Sequence, residues 1–164
     1  MAVEVLVTTH VMGLDRERED AWPLALPAAG LTLREVIRAK VAREVADYAA
    51  GRRQMVGKEY LALDELAAFQ EAGRRGRALP LEVEGEVRRA WKAFEEGDYM
   101  VTVGTREVHD LDAALRLEPG ARIQFLRLLP VAGGAPTRRM GVEGRAGGDG
   151  SLRGATTFRG RGRA

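Results

Sequence analysis

Val3, Val5 and Val7 alternate with Glu4, Leu6 and Thr8 at the start of the chain, a period of two in β-branched residues that predicts a strand with one well-buried face. The nearly all-charged run from Gly13 to Asp20 reads as a solvated turn, and Ala21 to Leu26 as a returning strand. Pro23 and Pro27 cannot donate to a hydrogen-bond ladder, which confines that strand to a sheet edge. At Thr32 the period changes. Thr32 and Glu35 form a T-x-x-E capping box ahead of an apolar stripe at Leu33, Val36, Ile37, Val41, Val45, Tyr48 and Ala49, which predicts a helix ending at Gly51. Two more helical stretches follow: Leu63, Leu66, Ala67 and Phe69 ending near Gly73, and Val83, Val87, Ala90, Trp91 and Phe94 ending at Gly97. Between them Gly73, Arg74, Arg75, Gly76 and Arg77 read as an exposed loop. Helices this short are marginal alone, so packing on the rest of the domain is expected.

After Gly97 the period of two returns. Tyr99 to Gly104 alternates as a strand, Thr105-Arg106 turns, Glu107 to Asp110 continues a hairpin, and Glu118-Pro119-Gly120 is a tight turn before a last strand from Ile123 to Leu129. The order strand, strand, helix, helical segment and three short strands belongs to the α+β class, with the main helix lying across one face of a mixed sheet. No internal repeat is present.

Composition narrows the chemistry. The chain has 164 residues and no cysteine, so disulfides, thiolate nucleophiles and thiolate metal sites are excluded. No apolar run is long enough for a membrane span, and the N-terminus carries no basic patch leading into an apolar stretch, so no membrane partner and a cytoplasmic location are expected. Charge is unevenly placed: residues 135–164 hold seven arginines against Glu143 and Asp149, together with eight of the 20 glycines. The few large apolar residues there (Met140, Val142, Leu152 and Phe158) cannot offset chain entropy, which predicts a flexible, disordered basic tail.

The stretch from Tyr99 to Gly134 resembles the C-terminal half of ubiquitin-like β-grasp proteins, in particular bacterial ubiquitin-like modifiers and the sulfur carriers of molybdopterin and thiamin biosynthesis. The residues carrying the likeness are Val101-Thr102-Val103-Gly104 with Arg106-Glu107-Val108, then Leu111-Asp112-Ala113-Ala114-Leu115, Leu117-Glu118-Pro119-Gly120, Ile123-Gln124-Phe125-Leu126, and Leu129-Pro130-Val131-Ala132-Gly133-Gly134. The resemblance implies a β-grasp domain over residues 1–134 with a helical insertion at about 52–97, followed by a tail at 135–164 that processing removes. It further implies that Gly133 and Gly134 are the adenylation and conjugation residues. Glycine lets such a tail thread a narrow cleft of an E1-like enzyme. Gly134 has no free carboxylate as the chain stands, so the processing site falls between Gly134 and Ala135.

On that reading the chain is no enzyme. It has no catalytic residue, binds no metal and holds no cofactor of its own, ATP being used by the activating enzyme. The partners are an E1-like adenylating enzyme, an E2-like conjugating enzyme, a processing or deconjugating peptidase, and target proteins. Val101, Leu126, Leu128 and Leu129 on the last strands are expected to contribute the partner-binding face, although a register slip of one residue exchanges the two faces. Acceptor lysines are few (Lys40, Lys58 and Lys92), with Lys58 expected to be exposed in a Gly57-Lys58 loop.

Three alternatives stay open. One is a sulfur carrier of the molybdopterin or thiamin type. Another is a non-covalent adaptor whose intact ending, Phe158-Arg159-Gly160-Arg161-Gly162-Arg163, makes weak nucleic-acid contacts. The third is a small enzyme in a cleft beside the inserted helices, to which His10 and His109 would have to contribute. His109 beside Asp110 and Asp112 reads as a solvated turn, and the glycine-rich run at 144–150 lacks the strand and Lys-Ser/Thr of a phosphate loop.

Overall fold

A computed structural model of the chain describes residues 1–13 and 21–129. The charged turn after Gly13, the diglycine and everything after Leu129 lie outside the described residues. The architecture is α+β. Strand β1 (Val3–Met12) buries its odd-numbered residues and pairs antiparallel with β2 (Trp22–Leu26), with Val3 opposite Leu26 and Val7 opposite Trp22. Strand β2 is a sheet edge, as Pro23 requires. A short strand, β3 (Gly30–Thr32), leads into the main helix α1 (Leu33–Ala49), which starts at the predicted capping box. Thr32 Oγ1 accepts from the Glu35 N–H at 3.3 Å, and Glu35 Oε2 accepts from the Thr32 N–H at 2.7 Å. The first two N–H groups of the helix donate to carbonyls of the L-D-x-x-L segment, Leu33 to Ala113 at 3.2 Å and Arg34 to Leu111 at 2.8 Å.

Helices α2 (Leu63–Arg74) and α3 (Val83–Glu95) follow. The chain then forms β4 (Met100–Val103), β5 (Arg106–Val108), β6 (Ala114–Arg116) and β7 (Arg122–Leu128). Strands β3 and β6 make a separate two-stranded ladder, and the other five form the main sheet in the order β2-β1-β7-β4-β5. At its centre β1 runs parallel to β7, Val7 beside Ile123 and Met12 beside Leu128, and every other neighbouring pair is antiparallel.

One apolar core joins the helices to the sheet. Leu33, Val36, Ile37 and Val41 of α1 meet Val5, Val7, Val101, Ile123 and Phe125 of the sheet, each 0% or 1% exposed and each stabilising the fold by roughly 1.5–3 kcal/mol relative to exposure. The two shorter helices join the same core through Leu66 and Phe69 of α2 and Val87, Ala90 and Phe94 of α3. Tyr48 and Phe69 meet edge to face at 5.1 Å, Trp91 of α3 donates to the Arg34 carbonyl at 3.0 Å, and the Arg34 guanidinium lies 4.9 Å from the Trp91 ring centre.

Two readings of the sequence change here. Helix α2 runs through Gly73 to Arg74, where the sequence pattern predicts a loop, because the Arg75 N–H still reaches the Glu71 and Ala72 carbonyls, and Arg74 and Arg75 both pair with Glu71. The β3–β6 ladder has no signature in the pattern: each strand has three residues, too few for a period of two to register.

Candidate functional site

Among the described residues α1 lies on one face of the sheet, no strand residue of the opposite, more open side is fully buried, and strand parity decides which side chains stand there. On β1 these are the even-numbered residues, among them His10 and Met12; on β7 they are Gln124, Leu126 and Leu128; on β4 they are Met100 and Thr102. The register places His10 beside Leu126 and Leu126 opposite Met100, so one row crosses three strands, and Met12 beside Leu128 extends it toward the end of β7. Leu128 is 65% exposed and Met12 49% exposed. Next to this row lies a groove of about 310 Å³ lined by Phe94, Met100, Leu126 and Leu128, with Asp98 and Glu107 among the residues at its wall.

Of the four residues expected on a partner-binding face, Leu126 is half-buried and Leu128 exposed on the open side, and Leu129 is half-buried just past β7. Val101 requires a correction. It is fully buried, opposite Phe125 and Val108 on the helix-covered face, so it belongs to the core. Gly133, Gly134 and Ala135 lie outside the described residues. At the margin of the sheet, the Leu129 N–H donates to the Met12 carbonyl at 3.3 Å.

His109 is 77% exposed with Glu107 at 3.4 Å, a solvated turn, and His10 is half-buried with its Nδ1 lacking a hydrogen-bond partner. The two histidines stand apart, His10 on β1 and His109 just after β5 at the far edge of the sheet. Lys58 also requires a correction. It is half-buried, because Arg127 of β7 donates to the carbonyls of Lys58, at 3.1 Å, and of Leu61, drawing that segment inward. Lys92 is the accessible lysine at 75% exposed, while Lys40 is fully buried. Among the described residues no helix is long and apolar enough to cross a membrane.

A concentration of buried charge lies elsewhere, and the sequence reading does not predict it. Between α1 and the sheet, Lys40 Nζ donates to Glu44 Oε1 at 2.6 Å and to Glu59 Oε1 at 2.7 Å, and sits 4.7 Å from the centre of the Phe125 ring. Lys40, Glu44 and Glu59 are 0%, 2% and 1% exposed. Glu44 Oε2 also accepts the Gly57 N–H at 3.3 Å, and Arg53 approaches its Oε1 at 3.8 Å, whereas Glu59 Oε2 is buried without a hydrogen-bond partner. Desolvation pushes the Glu59 carboxyl above its ordinary value, helped by the nearby Glu44 charge and opposed by Lys40. Desolvation alone would lower Lys40; the fields of Glu44 and Glu59 outweigh it and raise the ammonium above its usual range. Beside this cluster Tyr60 donates to Glu86 Oε2 at 2.9 Å, and burial pushes its phenol far up, so it stays a neutral donor.

The sequence does carry part of this signal. Lys40 and Glu44 are one helical turn apart and fall within the stripe Val36, Ile37, Val41, Val45, so two charged residues occupy the buried face of α1. No family model, no curated protein and no solved structure matches this chain.

Proposed function

We propose that this chain is the precursor of a ubiquitin-like protein modifier of the β-grasp type, cleaved after Gly134 and then activated at the new carboxylate by an E1-like enzyme for conjugation to protein targets. The observation that carries the reading is the placement of the last strand. Strand β7 lies at the centre of a mixed five-stranded sheet with α1 across one face, an arrangement compatible with a β-grasp, and it ends at the sheet margin with Leu128 65% exposed. Gly134 follows Leu129 by five residues, so a short apolar-to-glycine segment leads from a rigid scaffold to the reacting carboxylate. The chemistry asks nothing of the carrier's side chains: the enzyme supplies ATP, the carboxylate attacks its α-phosphate and displaces pyrophosphate, and the acyl group passes to a thiol with release of AMP and then to an amine with release of the thiol.

On this reading the helices α2 and α3 are an insertion between the main helix and β4. The open face around Met12, Met100, Leu126 and Leu128 is the surface that the activating and conjugating enzymes hold, since a contiguous apolar row on a soluble scaffold marks a contact site.

The test is intact-mass spectrometry of the protein recovered from its own host. A species ending at Gly134, free or attached to the lysine of another protein, is expected. The same species with sulfur in place of a carboxylate oxygen would assign the chain to the sulfur carriers instead. Recovery of the uncut chain alone, under conditions where its neighbours in the genome are expressed, would overturn both and favour an adaptor acting with its arginine-rich end attached.

A further inference from the structure

We propose that Lys40 and Glu59 are the two halves of an intramolecular isopeptide bond, with Glu44 as the base that frees the lysine amine to react. The site is independent of the modifier reading. Three observations meet there. The amine nitrogen touches one oxygen of each carboxyl, at 2.6 Å for Glu44 and 2.7 Å for Glu59, so nucleophile and electrophile are held side by side, and such positioning can replace very high reactant concentrations. All three side chains are shut away from water, which would otherwise compete for the amine and screen the carboxyls. The two carboxyls are in unlike settings, and this sets their roles. Glu44 accepts on both oxygens, from Lys40 and from the Gly57 N–H, with Arg53 nearby, the surroundings of a proton acceptor. Glu59 has one oxygen on Lys40 and the other with no partner, the surroundings of a neutral acid that can give up that oxygen.

The reaction starts once Glu59 has taken a proton from solvent, the direction in which burial pushes it, leaving the Lys40 ammonium, the Glu44 carboxylate and the Glu59 acid. Glu44 takes a proton from Nζ. The amine's lone pair then forms a bond to Glu59 Cδ. The Cδ–Oε2 bond breaks, and Oε2 leaves with its own proton and one from nitrogen as water. An amide joins Lys40 to Glu59, and Glu44 ends as the neutral acid. No oxidant, nucleotide or other co-reactant is needed. Burial supplies the driving force: an ammonium and a carboxyl system that are costly to keep in an apolar interior become a neutral amide. Because the fields around Lys40 favour its ammonium, the reactive amine is the minor form, and the reaction is slow and completes after folding. The product ties α1 covalently to the segment that leads into α2.

The test uses the full chain as purified, with trypsin digestion and tandem mass spectrometry. The wild-type protein is expected to be one water lighter than its sequence mass. Its digest is expected to contain a branched peptide joining residues 39–43, uncut at Lys40, to residues 59–74. Lys40→Met and Glu44→Gln are both expected at full sequence mass; Glu44→Gln keeps the amine and the electrophile, so its failure to react isolates the base. Wild-type protein at full sequence mass, with ordinary cleavage after Lys40, overturns the proposal, and this holds whether or not either variant folds. A water loss that persists in Lys40→Met, or fragmentation that places the branch on Glu44, overturns it equally.

Discussion

Gly57 is held at a left-handed φ of 74° against the buried side chains of Tyr60 and Leu61, and replacing it with alanine tests the packing of the whole 55–62 segment. A Cβ there would lie 2.6 Å from Tyr60 Cζ, 2.9 Å from Tyr60 Oη and 2.9 Å from Leu61 Cγ, where ordinary carbon contacts are about 3.5–4.0 Å. The backbone is fixed on both sides. The Gly57 N–H donates to Glu44 at 3.3 Å, and its carbonyl accepts from Tyr60 at 3.1 Å and Leu61 at 2.9 Å. Tyr60 must therefore shift away from the new methyl, and in doing so it loses its buried 2.9 Å bond to Glu86. The left-handed conformation costs an alanine about 1–2 kcal/mol, the overpacking about 1–3 kcal/mol, and the broken hydrogen bond about 1 kcal/mol. The expected loss is about 3–6 kcal/mol.

Gly51 supplies the control. Its φ is 73°, and a methyl group added there would have nothing within 4 Å, so Gly51→Ala carries only the same conformational cost of about 1–2 kcal/mol. The assay is urea unfolding of both variants at constant m-value, in which the difference in midpoints gives the steric part directly. Gly57→Ala is expected to be at least about 2 kcal/mol less stable than Gly51→Ala. Equal losses within about 0.5 kcal/mol would refute the claim that this segment is wedged in place.

Thr32→Ala removes the capping box of α1 and is expected to cost about 1 kcal/mol by the same assay, with a much smaller effect counting against a role for the box. Val101→Ala should cost about 2 kcal/mol, whereas Leu128→Lys should change stability by less than about 0.5 kcal/mol and, on the proposed modifier reading, abolish capture by an E1-like enzyme in a binding assay; the reverse pattern would mean that the two sheet faces are exchanged. Burial alone would raise the Asp47 carboxyl, but hydrogen bonds from Arg52 and Arg43 outweigh it and hold it below its ordinary value. A depressed carboxyl contributes stability that is present above its unfolded value, near about pH 4, and is lost as pH falls through the folded value. Stability measured from about pH 6 downward should therefore fall less steeply in Asp47→Asn than in wild type, and parallel curves would contradict the assignment.

Elements with enough repeats of their period can be read directly from the chain. Strand β1 offers five inward residues in ten, α1 opens on a complete capping box, and α3 carries Val87, Ala90 and Phe94 at helical spacing. Strands β3 and β6 cannot be read, because with three residues each they exist only through their pairing with one another. The faces of β4 and β7 pose a different problem. Met100 and Val101 are both apolar, and so are Phe125 and Leu126, so polarity cannot choose between the two registers. Tertiary packing chooses, placing Val101 and Phe125 in one row under α1 and turning Met100 and Leu126 outward. The buried charges are half legible. Lys40 and Glu44 interrupt the apolar stripe of α1 at positions that must face inward, which is a local fact, whereas Glu59 lies in an irregular segment and reaches them only through the fold.

The same parity argument bears on function. The inward residues of the central strands make the core, while their outward apolar residues are half-buried or exposed. Met12, Met100, Leu126 and Leu128 form neighbours across three strands, beside the end of β7. Single exposed apolar residues are ordinary on a protein surface, but here two exposed ones, Met12 and Leu128, pair across β1 and β7 beside the half-buried Leu126 and Met100. On the proposed modifier reading this row, beside the end of β7, is the surface that an activating enzyme holds while it acts on the chain beyond Leu129.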